Sequence, residues 1–205
     1  MSIAASPAIE GANESESRAS AGLPLLNAGL AWIGYLFSQS GALFLGNDSI
    51  QSSLLRLAAG VLYGLGAVLM YVSFRTSARW SALIQMVLNL VAMCFFTNSV
   101  LAIMSVQPDY QAFHELFSNA QVLMALAVFF IARCLQRDRR ITNWLAWLFY
   151  AYAIFGVVQT ASYFVNIPLF SSYVPAIVIS LVVELTFAFT LVRAGSIQMH
   201  PHART

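Results

Sequence analysis

The chain has 205 residues, of which 60% are hydrophobic and only 9% are charged, and its formal net charge is +2. A soluble domain carries about 25% charged residues, so this composition excludes a protein whose main solvent is water. All ten basic residues are arginine, which excludes chemistry that needs a lysine amine, such as a Schiff base. The small net charge, with most arginines beside apolar stretches, argues against nucleic acid as a partner.

Six long apolar stretches follow one another along the chain, and a helix needs ~20 mostly apolar residues to cross the hydrocarbon core of a bilayer. We predict membrane spans at residues 23–46, 53–74, 80–105, 117–135, 142–166 and 172–193. The predicted fold is therefore all-α, a polytopic bundle of six transmembrane helices whose main partner is the lipid bilayer. Residues 1–22 are expected to form a disordered polar tail, 23–195 the six-helix transmembrane domain and 196–205 a short C-terminal tail.

Arginines occupy every second gap between the predicted spans, and this alternation indicates the orientation. The gaps after spans two, four and six contain Arg75 and Arg79, then Arg133, Arg137, Arg139 and Arg140, then Arg193 and Arg204. Basic residues collect in cytoplasmic loops, so the N-terminus and the C-terminus are both predicted to be cytoplasmic. The compact spans favour a bacterial inner membrane as the location. Four tryptophans near the span ends are expected to anchor at the interface: Trp32, Trp80, Trp144 and Trp147.

Glu184 is the one acid well inside a predicted span. It lies ~13 Å from the cytoplasmic boundary when counted from Arg193, and Asn89 lies ~15 Å from the same side when counted from Arg79. The two side chains can share a level near the midplane if spans three and six are neighbours. They are candidate ligand-binding residues.

Two interpretations of Glu184 remain open from the sequence. An ionised acid at this depth costs ~2.5–3.5 kcal/mol, and protonation removes most of that cost. A neutral Glu184 that hydrogen-bonds another helix would act only as structural glue. Alternatively, the carboxyl group binds a proton, a cation or another small ligand.

Span five carries a polar stripe that includes two further candidate ligand-binding residues, Gln159 and Tyr163. Its members recur at steps of four, three, four and three residues, which places them on one helix face: Tyr152, Gly156, Gln159, Tyr163 and Asn166. This face either lines a cavity that opens outward or packs against small residues of a neighbour. Pro24, near the start of span one, is expected in the opening turn of its helix.

Arg56 is the fifth candidate ligand-binding residue, at the outer end of span two and ~28 Å from Arg75 along a helix. One interpretation is that its guanidinium group reaches the lipid headgroups. The other is that it pairs with Asp48, Asp109 or Glu115 at an outer vestibule that leads toward Gln159, where it recognises an anion or holds a loop closed.

No motif for catalysis or metal binding is present in the sequence. Cys94 and Cys134 are not spaced as metal ligands or as a disulfide framework, and no His-Glu-x-x-His helix, phosphate loop or Gly-x-Ser-x-Gly elbow occurs. We therefore predict no catalytic residue and no metal ligand, and the sequence leaves the cofactor unknown.

Three passages resemble an uncharacterised bacterial family of multi-span integral membrane proteins. They are Leu54-Leu55-Arg56 with the helix up to Arg75, the end of span four at Phe129-Phe130-Ile131-Ala132-Arg133, and the closing helix from Glu184-Leu185 to Arg193-Ala194-Gly195. The resemblance covers most of the chain and implies a membrane location and fold, without a known activity. It points to Glu184 and Arg56 as the first positions to mutate.

Three functions remain open from the sequence. The first is a non-enzymatic membrane protein that binds or transports a small molecule or proton, or serves as an accessory subunit, with a midplane polar site at Glu184. The second is a structural subunit that pairs with another membrane protein or with copies of itself. The third is an intramembrane enzyme acting on lipid or quinone, which would need at least two groups in acid, base or nucleophile geometry.

Overall fold

The computed structural model describes the backbone of residues 7–45, 49–105, 107–165 and 173–199, and the side chains of residues 22–45, 49–105, 107–159 and 178–199. Within these ranges the chain forms six α-helices and no strand, which confirms the all-α prediction. The helices are α1 (Pro7–Leu45), α2 (Ile50–Phe74), α3 (Arg79–Met104), α4 (Tyr110–Arg137), α5 (Asn143–Val165) and α6 (Tyr173–Met199).

Five of these helices are long and apolar enough to cross a membrane, within the part of the chain whose side chains are described. The apolar segments are Gly22–Leu45, Ile50–Phe74, Arg79–Met104, Tyr110–Arg137 and Val178–Met199. Helix α5 has 23 residues, and its side chains are described as far as Gln159. These are the features of a multi-pass membrane protein.

The first and last helices extend beyond the predicted spans. Helix α1 begins at Pro7, so it includes most of the segment that the sequence predicted as a disordered tail, and Pro24 lies inside the helix rather than in its opening turn. Alanine and glutamate, which are common in that segment, are among the strongest helix formers. Helix α6 continues to Met199, while residues 200–205 of the predicted C-terminal tail lie outside the described residues. The assignment of residues 1–22 and 196–205 as separate tails stays a prediction.

The helices pack in chain order and form a closed ring, because the last helix also packs against the first. Each of α1 to α5 packs against the next helix, and α6 packs extensively against α1. Helices α5 and α6 touch over a much shorter stretch in the described part of the chain. Six helices in this order surround a common centre, which is where a buried cavity can form.

One end of the bundle holds two arginine-bearing turns, those between α2 and α3 and between α4 and α5, and we call it the arginine end. The turns are joined by Asp138, whose side chain is 3% exposed and whose Oδ1 accepts a hydrogen bond from Arg140 Nε at 2.8 Å. Arg140 Nη2 also donates to the Ser73 carbonyl oxygen at 2.7 Å, and the Ser77 hydroxyl donates to Asp138 Oδ2 at 3.2 Å. The ion pair and its hydrogen bonds therefore fix both turns on the same side of the bundle.

The opposite end holds the turns between α1 and α2 and between α3 and α4. The Ser52 hydroxyl donates to the Ala42 carbonyl oxygen at 2.9 Å, which ties α2 to the end of α1. Asp109 caps α4, because its Oδ1 accepts a hydrogen bond from the Ala112 backbone nitrogen at 2.9 Å. Such caps satisfy one of the backbone N–H groups that a helix start leaves without a partner.

Glycines allow α1 and α6 to approach backbone to backbone. A Cβ atom added at Gly195 would lie 2.5 Å from the Leu26 backbone nitrogen and 2.8 Å from the Gly22 carbonyl oxygen. Ordinary van der Waals contact for such an atom is 3.4–4 Å, so only glycine fits here. This close approach brings the inward faces of α1 and α6 to the same part of the centre.

Candidate functional site

A cavity of ≈190 Å³ lies in the centre of the bundle, with walls from α1, α2, α4, α5 and α6. Its aromatic lining consists of Trp32, Tyr35, Tyr63, Phe149 and Tyr152. Its polar lining consists of Gln121, Gln159, Ser180 and Glu184. Small and aliphatic side chains complete the wall, so the cavity combines a mainly apolar surface with a few polar groups, as small-molecule sites do.

Glu184 is the one acidic side chain among the described residues that line this cavity. Its side chain is 9% exposed, and its Oε1 accepts a hydrogen bond from the Tyr152 hydroxyl at 2.8 Å. The second carboxyl oxygen, Oε2, is buried and has no hydrogen-bond partner within the described part of the protein. A buried polar atom left in this state costs ~1–3 kcal/mol, so Glu184 has a capacity to accept a hydrogen bond that the described protein does not use.

Trp32 presents a second polar atom of the same kind. Its ring is 2% exposed, and its indole Nε1 is also buried without a hydrogen-bond partner in the described part. The indole lies near enough to the Glu184 carboxyl to act on it as a hydrogen-bond donor, but Nε1 does not reach the distance and angle of a full hydrogen bond. One acceptor and one donor therefore lie on the cavity wall without a hydrogen bond of full geometry.

The position of Trp32 corrects an expectation from the sequence, which placed it among the interfacial anchors. Its ring packs against Tyr63 at 4.8 Å and against Phe187 at 5.3 Å between ring centroids. The other three tryptophans are exposed, at 71% for Trp80, 55% for Trp144 and 65% for Trp147. Proximity to a span end along the sequence did not distinguish the buried Trp32 from the three exposed tryptophans. The inward or outward direction of a side chain depends on which helices pack beside it.

Asn89 lies behind the cavity wall rather than on it. The Tyr63 hydroxyl donates to Asn89 Oδ1 at 2.9 Å, and Asn89 Nδ2 donates to Gln85 Oε1 at 3.0 Å. Gln85 Nε2 in turn donates to the Ala67 carbonyl oxygen at 3.1 Å, which ties α3 to α2. Asn89 therefore holds Tyr63 in place, and Tyr63 is the side chain that reaches the cavity.

Part of the polar stripe of α5 lines the cavity, and Gly156 also packs against Ala125 of α4, so the structure contains elements of both sequence interpretations. Tyr152, Gly156 and Gln159 all line the cavity. Tyr163 belongs to the same helix, but its side chain lies outside the described residues, as does Asn166. The stripe thus contributes at least three of its five members to the cavity wall.

Arg56 is only 8% exposed, and its guanidinium carbon lies 6.0 Å from the centre of the Phe113 ring on α4. This burial contradicts the interpretation in which the side chain extends to lipid headgroups. Arg56 stacks between helices at the end opposite the arginine turns, away from the cavity lining. Its pairing with one of three acids stays a prediction: Asp109 caps α4, Glu115 accepts a hydrogen bond from Gln111, and Asp48 lies outside the described residues.

A smaller cavity of ≈90 Å³ adjoins the central one and shares Tyr35, Gln121 and Met124 with it. Its remaining wall comes from all of the first four helices: Gln39, Gly60, Met93, Phe96, Phe117 and Ala120. The shared side chains separate two spaces that together run between α1 and α4, so a ligand in the central cavity would contact residues that also shape the second.

Most residues of the cavity wall were not predicted from the sequence. Trp32 and Tyr35 are three residues apart on α1 and therefore share a helix face. Gln121 is a polar residue inside span four, which favours a position in the bundle interior. These two features of the sequence could have indicated the inward faces of α1 and α4. Tyr63 and Phe149 gave no such signal, because an aromatic residue in a membrane span is equally suited to lipid and to the bundle interior.

No protein-family model, curated protein or solved structure matches this chain. The class of protein is therefore defined by the structure itself: an all-helical, multi-pass membrane protein with a central, partly polar cavity. The resemblance to an uncharacterised membrane family stays a prediction.

Proposed function

We propose that the chain crosses a bacterial inner membrane six times, with both termini in the cytoplasm. Helix α5 supplies the sixth span, because its 23 residues match the length needed to cross the hydrocarbon core. The joined turns at the arginine end support the orientation, since basic turns on one side of the bundle belong on the cytoplasmic side.

The orientation is tested by the side from which the arginine turns are labelled. A cysteine at Arg139, which is exposed in the turn after α4, is expected to react with a membrane-impermeant maleimide only when the reagent reaches the cytoplasmic face. A cysteine at Gln111, exposed at the other end, is expected to react only from outside. The reverse pattern would contradict the proposed topology.

The central cavity is proposed to bind a small ligand, and the protein to act as a non-enzymatic binding or transport protein. The observation that carries this proposal is the pair of buried, unpartnered atoms on its wall, Glu184 Oε2 and Trp32 Nε1. Buried polar groups are normally satisfied, and a ligand that donates to the carboxyl and accepts from the indole would satisfy both.

The alternative role for Glu184 is structural glue, and one contact favours it. The hydrogen bond from Tyr152 joins α5 to α6, whose direct packing is otherwise slight in the described part. That role uses one carboxyl oxygen and needs no space beside the other. The two interpretations therefore differ in whether small molecules can reach the cavity.

The accessibility of the cavity is tested without knowledge of the ligand. In a variant without Cys94 and Cys134, a cysteine at Gln121 is expected to react with methanethiosulfonate ethylammonium in proteoliposomes, because Gln121 lines both cavities. A cysteine at Ala127, which is fully buried on α4, is the matched control and is expected to stay unmodified. Equal protection of both cysteines would reject an accessible ligand site and leave only the structural role.

A further inference from the structure

We propose that the central cavity binds a small protonated amine with an apolar body. This inference rests on the proposed function and names the ligand class of the same site. It combines three observations: a single charged side chain on the wall, aromatic rings around it, and a volume suited to a small ring compound.

The carboxyl group of the site favours a cationic ligand. Glu184 is the one charged side chain among the described residues that line the cavity, and no arginine or histidine lines it with Glu184. An ammonium group can donate a hydrogen bond to the unpartnered Oε2, while Tyr152 continues to donate to Oε1. Such charge-assisted hydrogen bonds are stronger than neutral ones, and the pair would neutralise the cavity.

The aromatic lining favours an organic cation over a metal ion. Trp32, Tyr35 and Tyr63 form one continuous cluster, with ring centroids 4.8 Å apart for Trp32 and Tyr63 and 5.0 Å apart for Tyr35 and Tyr63. Phe149 and Tyr152 provide rings from α5. Ring faces attract ammonium groups and pack against hydrocarbon, whereas a hard metal ion prefers several oxygen ligands.

The volume sets the size of the ligand. An apolar cavity of ~150 Å³ holds a benzene molecule, so the ≈190 Å³ here admits one aromatic ring with a short amino chain. Gln121 adds an amide group to the wall, which can bind a polar substituent on the ring. Phenethylamine is a suitable probe of this class.

A proton would compete with the amine for the same carboxyl group. Among the residues whose side chains are described, the titratable groups that face Glu184 are the phenols of Tyr35 on α1, Tyr63 on α2 and Tyr152 on α5, which are neutral at physiological pH. The wall that α4 contributes has no titratable group among the described residues. Protonation of Glu184 therefore removes the one negative charge that attracts the amine, so binding weakens as the pH falls.

The test is equilibrium binding of radiolabelled phenethylamine to the purified full-length protein in detergent, with 2-phenylethanol and phenylacetate as neutral and anionic competitors of similar size. We expect binding at pH 8, weaker binding at pH 5, and displacement by unlabelled phenethylamine but by neither competitor. Glu184→Gln is expected to weaken binding about tenfold to hundredfold. Glu115→Gln, which removes an exposed acid on α4, is the matched control and should bind as the wild type does.

The outcomes separate this inference from the proposed function. Displacement by 2-phenylethanol as effective as by phenethylamine would overturn the requirement for a cation and retain a ligand site. The absence of phenethylamine binding would overturn the amine class, while labelling of a cysteine at Gln121 decides independently whether the cavity admits ligands. If Glu184→Gln does not fold, the pH dependence of the wild type still decides, since binding unchanged between pH 8 and pH 5 would refute the role of the carboxyl charge.

Discussion

Replacement of Gly195 by alanine should weaken the protein at the α1–α6 interface. The added Cβ would lie 2.5 Å from the Leu26 backbone nitrogen, against ordinary contact at 3.4–4 Å, so the helices must separate by about 0.9 Å at this point. The obstacles are backbone atoms that cannot rotate away. A gap of this size also forfeits roughly a quarter to a half of the attraction between atoms that face each other across it.

The expected change in the free energy of unfolding is the sum of two opposing effects. Overpacking of this kind costs about 3 kcal/mol, at the upper end of its usual range, whereas the higher helix propensity of alanine contributes about 1 kcal/mol in the other direction. We expect Gly195→Ala to lower the free energy of unfolding by about 2 kcal/mol. Gly64→Ala is the matched control, because its nearest neighbour would be 3.7 Å away, and it should be neutral or stabilising by about 1 kcal/mol.

Reversible unfolding by sodium dodecyl sulfate in mixed micelles measures both variants against the wild type. Gly195→Ala should unfold at a lower detergent fraction and should also bind the amine probe more weakly, since α1 carries Trp32 and α6 carries Glu184. Equal stability of Gly195→Ala and Gly64→Ala would refute the argument that backbone contact at Gly195 sets the spacing of the two helices.

Two further predictions concern the arginine end and the cysteines. Arg140→Gln should destabilise the protein by about 3 kcal/mol, because it leaves Asp138 buried without its ion-pair partner; the exposed neighbour Arg139→Gln should change stability by less than about 0.5 kcal/mol in the same unfolding assay. In native protein, N-ethylmaleimide should spare Cys134, which is buried at the end of α4, as read by mass spectrometry, and labelling of Cys134 before denaturation would contradict the packing of α4.

The sequence identified part of the candidate site. Glu184 and Gln159 were expected to face the bundle interior because polar side chains at membrane depth avoid lipid, and both line the cavity. Asn89 is also buried, as the same rule predicts, but it accepts a hydrogen bond from Tyr63 and does not line the cavity. The rule predicts that a polar side chain is buried, but it does not predict which neighbouring group forms a hydrogen bond with it.

Arg56 and Trp32 show a different limit of sequence reasoning. Trp32 was assigned to the membrane surface and Arg56 was given that position as one of two interpretations, and both side chains are buried. Depth along a helix is a local property that can be counted in residues. The direction of a side chain also depends on the rotation of the helix against its neighbours.

The helical class and the length of the apolar segments were determined by the sequence alone, because a membrane requires backbone hydrogen bonds within each segment and a minimum run of apolar residues. The partners of the polar groups were decided only by the tertiary structure. Gly195 and Gly22 draw α6 against α1, and this contact places Glu184 beside Trp32, although 151 residues separate them along the chain. Contact between distant helices depends on shapes that match across both surfaces, and the periodicity of a single helix does not encode that match.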